Sequence, residues 1–216
     1  MRGKSFHSIH KITVMDMKRN AILKVICFLA FAVCFCMLIL GNGTTEKSRW
    51  LAYAVFLYIT ALSIPLIYYA RYGGKNKRII ACVINTKLTD IKLYDALFGF
   101  YCMTILVVDY GILALATGFK YPADGKTGVC LFLSVMAVLW ILNRLCLLSF
   151  KIFKSYFAGT IVYVAVSMLC FVSNNVMTGF FYPVNGGVLG IQYFAGKLLE
   201  LFIVEIFLFC LEKCKN

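Results

Sequence analysis

The sequence predicts an all-α, polytopic integral membrane protein, a bundle of six transmembrane helices with both chain ends cytoplasmic. Three observations predict it. Of 216 residues, 62% are hydrophobic and only 14% charged, against about 45–50% apolar and about 25% charged in an ordinary soluble domain. Mean hydropathy is +0.87, and a single core cannot cover that much apolar surface, so the excess must face lipid. Six apolar runs each approach the roughly 20 residues that a span needs. Basic residues then fall in alternate connections between the runs.

The runs lie at 21–41, 50–70, 97–117, 128–149, 156–177 and 188–211, and residues 1–216 read as one transmembrane domain. Residues 1–20 form a basic leader in which Phe6, Ile9, Ile12 and Met15 recur at three-residue steps. That spacing suits an amphipathic helix in the inner interface; a plain basic flank of the first span is the alternative. The first run exceeds the roughly 7–15 apolar residues of a secretory signal. Gly41, Asn42 and Gly43 follow it instead of a small-residue cleavage site, so it reads as a retained span.

With the leader cytoplasmic, seventeen of the 22 Lys and Arg fall inside. They are the leader residues with Lys24, then Arg71, Lys75, Lys77, Arg78, Lys87 and Lys92, then Arg144, Lys151 and Lys154, and finally Lys213 and Lys215. Lys47, Arg49, Lys120 and Lys126 fall outside, and Lys197 lies within the sixth run. This bias sets the orientation. The formal charge of +13 therefore speaks of topology and anionic headgroups rather than of nucleic acid, and the chain reads as a multi-pass protein of a cell membrane, a bacterial plasma membrane in particular. Most of the ten cysteines lie inside the runs with no CxxC among them, and act there as small hydrophobes. His7 and His10 share a leader face whose one acidic neighbour is Asp16, which makes no metal site. No cofactor is expected.

Two connections carry more than a turn. Residues 71–92 open on Gly73 and Gly74, continue through Ile79, Ile80, Cys82 and Val83, and turn at Asn85 and Thr86. They read as a short surface helix followed by Thr89 or Asp90 capping the third span. The last outer connection, Tyr182 to Gly187, is rich in turn residues and is approached through Ser173, Asn174 and Asn175. It reads as a plain loop, with a short re-entrant segment as the alternative.

Apart from Lys24 at the start of the first run, five ionisable residues fall within the runs: Asp109, Arg144, Lys197, Glu200 and Glu205. Each costs about 2.5–3.5 kcal/mol at mid-helix on insertion scales, which makes it a candidate for function. At 1.5 Å per residue, Asp109 lies about 18 Å and Lys197 about 21 Å from the inner ends of their spans, and Arg144 and Glu205 lie about 8 and 9 Å from theirs. Depth thus predicts the pairs Asp109–Lys197 and Arg144–Glu205, with Glu200 beside Lys197 at i, i+3. Such pairs either hold helices together or line a substrate path.

Enzyme motifs fail. Gly125, Lys126 and Thr127 end like a P-loop, but its first glycine would stand at 120, which is Lys120. Both histidines sit in the leader, away from any membrane-embedded thiol or carboxylate cluster, which argues against an intramembrane peptidase or a lipid-headgroup enzyme.

The order of basic amphipathic leader, two spans, basic helical loop and four spans resembles the permease subunit of ABC-2 type exporters. Ile84, Asn85, Thr86, Lys87, Leu88 and Thr89 are similar to that family's T-x-L-S/T stretch, with Lys92 to Tyr94 where the third span opens. The acidic residue and Gly-Thr that often open the family's loop are replaced by Arg71, Tyr72, Gly73, Gly74 and Lys75. The resemblance implies a half-transporter that pairs with a second permease copy, or a homologue, and takes ATP hydrolysis from a separate cytoplasmic ATP-binding subunit. Ile79, Ile80, Val83, Asn85, Thr86, Lys87 and Leu88 would couple the two. The alternatives are a secondary transporter or small-molecule uptake component, and a membrane anchor or immunity protein that transports nothing.

Overall fold

A computed structural model describes residues 6–39, 46–72, 88–116, 125–173, 175, 178–180 and 191–213. These residues form seven α-helices and no strand: α1 (Phe6–Arg19), α2 (Ala21–Ile39), α3 (Glu46–Tyr72), α4 (Leu88–Ala116), α5 (Gly125–Phe153), α6 (Tyr156–Val172) and α7 (Ile191–Lys213). Three stretches are long and apolar enough to cross a membrane, Ala21–Ile39, Lys92–Leu113 and Phe132–Phe153. Helix α7 is as apolar along its sides, but every 18-residue window in it contains Lys197, Glu200 and Glu205.

The leader forms a helix whose buried residues are Ile9, Thr13 and Met17. The inward stripe therefore advances by four, not three, and Phe6 and Met15 stay exposed. The stripe lies on α4, where the Tyr94 hydroxyl donates to the Asp16 carboxylate. Asn20 separates α1 from α2: its Oδ1 accepts from Leu23 N–H at 3.1 Å, an N-cap, and its Nδ2 donates to Ile67 O at 3.3 Å. The end of α1, the start of α2, the end of α3 and the start of α4 thus meet at one end of the bundle. The end of α5 joins them, since the Tyr156 hydroxyl, just beyond it, donates to Pro65 O at 3.1 Å.

Helix α5 is the hub, packing on α3, α4, α6 and α7. Of its apolar stretch 61% is buried, against 28% for α2, so α5 is surrounded by protein while α2 keeps an open apolar flank. Phe28 on α2, Phe157, Leu169 and Val172 on α6, and Phe202 and Phe207 on α7 are all exposed. Apolar surface on this scale suits lipid rather than water.

Helices α5 and α6 are joined by only Lys154 and Ser155. Lys154 takes a left-handed conformation (φ 53°) that ends α5. Gly159 then lets the two helices close: a Cβ there would lie 2.6 Å from Phe150 Cδ1 and 3.1 Å from Phe150 Cα. Small residues are what permit such approach in membrane bundles.

Helix α3 carries Pro65, which has no N–H to give to the carbonyl four residues back. That carbonyl belongs to Ala61, and the Tyr163 hydroxyl of α6 donates to it at 2.8 Å. Removing the hydroxyl with Tyr163→Phe is expected to cost about 1–2 kcal/mol of stability. In a Pro65→Ala background, where an intrahelical N–H returns, the same change should cost less. A double-mutant cycle read by unfolding in detergent measures the coupling, and strict additivity would refute it.

At 17 residues, α6 is about 25 Å long, short of the roughly 30 Å of a hydrocarbon core. Beyond it the chain folds back: Gly179 N–H donates to Asn175 O at 2.7 Å and Phe180 N–H to Cys170 O at 2.9 Å. The Tyr193 hydroxyl is shared between Gly179 O and Phe180 O at 3.2 and 3.0 Å. These bonds fold residues 175 and 178–180 back onto the end of α6, while 181–190, which hold the last outer connection itself, lie outside the described residues.

Candidate functional site

Four of the five charges of the helical runs, Arg144, Lys197, Glu200 and Glu205, lie on α5 and α7, which pack together, while Asp109 lies apart on α4. Arg144 Nε of α5 lies 2.6 Å from Glu205 Oε1 of α7. It is a charge contact rather than an aligned hydrogen bond, for the Nε–H does not point along that line. Trp140 Nε1, one turn earlier on α5, lies 3.4 Å from the same oxygen, and the Arg144 guanidinium sits 5.8 Å from the Trp140 ring centroid.

Lys197 is fully buried. Its Nζ donates to Glu200 Oε1 and Oε2 at 2.9 and 3.1 Å, and lies 5.2 Å from the ring centroids of both Phe180 and Tyr193. The back-folded turn after α6 thus supplies one wall of an aromatic cage around the ammonium, with electrostatic attraction from each ring.

Asp109 is not brought to Lys197. It sits on α4, which packs on α2, and its buried Oδ2 has no hydrogen-bond partner. Depth alone was an insufficient criterion. Rise along the axis fixes the level of a residue, while rotation about the axis decides which neighbour it faces, and Lys197 had a carboxylate on its own helix. Arg144 and Glu205 satisfy both conditions.

A cavity of about 270 Å³ opens beside Arg144 and Glu205 and is lined also by Lys92 and Asp95 of α4, and by Lys151 of α5. The third run, drawn from 97, excluded Asp95. Yet α4 begins at Leu88, its apolar stretch begins at Lys92, and Asp95 is buried. The signal was present: Lys92 and Asp95 stand at i, i+3 on one helical face. A second polar contact that sequence reasoning missed joins α3 to α5, where the buried Tyr68 hydroxyl donates to Asn143 Oδ1 at 2.6 Å.

One turn further into the bundle lies a second, almost wholly apolar cavity of about 350 Å³, between α4 and α7 over α5. Ala96, Arg144 and Glu205 line the first, and Phe100, Trp140 and Leu201, each four residues away, line the second. The two are stacked at the same step on all three helices.

If the Arg144–Glu205 contact is a matched pair, exchanging them (Arg144→Glu with Glu205→Arg) should recover most of what either single change loses. Single charge reversals place like charges together and are expected to cost about 1–3 kcal/mol, between the values for exposed and buried pairs, since the Glu205 side chain is 39% exposed. The same exchange at Asp109 and Lys197 should recover nothing. Folded yield and unfolding midpoint in mild detergent distinguish these outcomes.

The coupling residues Ile79, Ile80, Val83, Asn85, Thr86 and Lys87 lie outside the described residues, as does the side chain of Leu88 at the first position of α4. Among the described residues no cluster of three or more His, Cys, Asp or Glu could hold a metal ion. Compared with protein families, characterised proteins and solved structures, the chain matches none.

Proposed function

We propose that this chain is a membrane permease: six spans, α2 to α7, with the basic end of the bundle cytoplasmic, moving a substrate along the charged face between α4, α5 and α7. The observation that carries this reading is the charged cavity holding Arg144 and Glu205 within a bundle whose exterior is apolar. A charge contact that served packing alone would be closed over by side chains, whereas here a cavity adjoins it. The alternation of helix direction supports six spans: Lys92, Lys151 and Lys213 stand at helix ends that one topology places on one side.

The energy source in this reading is ATP hydrolysis by a separate cytoplasmic subunit, docked on residues 71–92, with a second permease copy completing the path. Gentle purification from native membranes should recover a nucleotide-hydrolysing subunit with the chain. Replacing Ile79, Ile80 and Val83 by Asp should abolish its recovery while leaving the chain in the membrane.

Asp109 favours one other reading. A buried carboxylate oxygen without a hydrogen-bond partner, within the apolar stretch Lys92–Leu113, suits a proton relay of a secondary transporter. Transport that persists without an ATPase, vanishes when the proton gradient is dissipated, and fails in Asp109→Asn would establish that reading in place of the first.

A further inference from the structure

The apolar cavity between α4, α5 and α7 is a short slot. On α5 its lining runs from Leu133 to Trp140 and on α7 from Phe194 to Leu201, about 10 Å along each helix. Trp140 and Leu201 close it toward Arg144 and Glu205, so it lies beyond that charge contact as seen from the basic end. It opens sideways, where Phe100, Val108 and Leu198 are exposed. In a membrane that direction is hydrocarbon.

The side chains of the slot offer a ligand no free hydrogen-bond donor. The Thr104 hydroxyl donates to Phe100 O of its own helix at 2.9 Å, and the Trp140 Nε1–H is turned to Glu205 Oε1 at 3.4 Å. A charged or strongly polar ligand would lose its hydration there with nothing to replace it. Nor is the Trp140 ring open to a further cation, since the Arg144 guanidinium already lies 5.8 Å from its centroid.

What remains is aromatic and soft: Phe100, Trp140 and Phe194, with the thioethers of Met103 and Met136. Rings and methionine sulfur favour an aromatic partner, and unbranched methionine adapts to its outline. The volume of about 350 Å³ falls in the range of small-molecule sites. Half of a hydrocarbon core is about 15 Å thick, so a slot of about 10 Å leaves part of an acyl chain uncovered and encloses a compact ring system whole.

We infer that this slot binds one compact, uncharged aromatic molecule that reaches it from within the bilayer. The rings of the ligand lie against Trp140 and Phe194, with Met103 and Met136 beside them. The site requires only that the chain lie in a membrane, so it stands apart from the transport proposal.

The test uses the full purified chain in phosphatidylcholine nanodiscs and an iodophenyl trifluoromethyl diazirine, an uncharged aromatic photolabel. Mass spectrometry locates the residues labelled on illumination. Met103 and Met136 are expected among them, and an about 20-fold excess of unlabelled naphthalene should lower their labelling about tenfold, as competition for one site requires. Phe28 on the open flank of α2 is exposed, labels through the lipid and should not respond to naphthalene. Thr104→Phe, from an exposed position lining the slot, should abolish the competed labelling at Met136. Val108→Trp serves the same purpose if Thr104→Phe does not fold.

Labelling at Met103 and Met136 that naphthalene leaves unchanged, as at Phe28, means that acyl chains fill the slot, and overturns the proposal. Competed labelling that survives in the slot-filling variants overturns the placement. A slot that labels only after a dimer is dissociated shows that a second copy of this chain covers it, and overturns the proposal outright. No ATPase or transport measurement enters, so failure of the permease reading leaves the outcome intact.

Discussion

Glu200→Ala is expected to destabilise the bundle by about 3 kcal/mol, on the order of 6–12 °C in unfolding midpoint for a chain of this size. The reason is the position of Lys197 rather than of Glu200. Its ammonium is fully buried while the glutamate side chain keeps 20% of its surface exposed. Deleting the carboxylate removes two oxygens that accept from Nζ and leaves a buried charge beside the rings of Phe180 and Tyr193. Those rings remain, and a desolvated cation–π contact is worth about 2 kcal/mol, which holds the loss at the lower end of the 3–5 kcal/mol typical of a broken buried pair. Glu200→Gln should fall between, keeping an acceptor without the charge. Replacing both, Lys197→Met with Glu200→Leu, should return most of the stability, because a buried pair gains little over apolar residues of the same volume. If Glu200→Ala melts with the unaltered protein, the ammonium is solvated and the cage does not exist.

The sequence carried the bundle because lipid imposes its pattern on long stretches: apolar runs, basic flanks and turn residues between them mark spans without any knowledge of packing. Boundaries followed less well. The third apolar run was drawn from 97 and Lys92 was counted with the loop, although the cap placed at Thr89 or Asp90 already puts Lys92 and Asp95 in a helix, as α4 does. Contacts between helices divided by mechanism. Lys197 and Glu200 were legible because three residues on one helix fix both height and rotation. Arg144 and Glu205 were legible in height alone, and Asp109 shows that height alone is not enough. The bond from Tyr163 to Ala61 joins residues 102 apart; Pro65 announces that a carbonyl lacks its donor, but no local pattern names the tyrosine that supplies one.

Gly179→Ala is the second substitution expected to be severe, again by about 3 kcal/mol. A Cβ at this position would stand 2.4 Å from Ser173 O and 2.7 Å from Asn175 O, and both obstacles are backbone atoms that no rotamer change can move. Relief requires the turn to open, which strains or breaks the bonds from Gly179 N–H to Asn175 O and from Phe180 N–H to Cys170 O. Overpacking of about 1–3 kcal/mol and the loss of one or two hydrogen bonds at about 1 kcal/mol each give the estimate. Gly111 is the control: a Cβ there meets nothing within 4 Å, and Gly111→Ala inside α4 should stabilise by about 0.5–1 kcal/mol. The two changes are chemically identical, so opposite signs can come only from their surroundings. The turn also carries Phe180 over the Lys197 ammonium, so Gly179→Ala and Glu200→Ala disturb one cage from two sides. Their combined effect should fall short of the sum, with a coupling of about 1 kcal/mol in a double-mutant cycle. Full additivity would separate the turn from the buried charge, and would mean that Phe180 closes the end of α6 without holding Lys197.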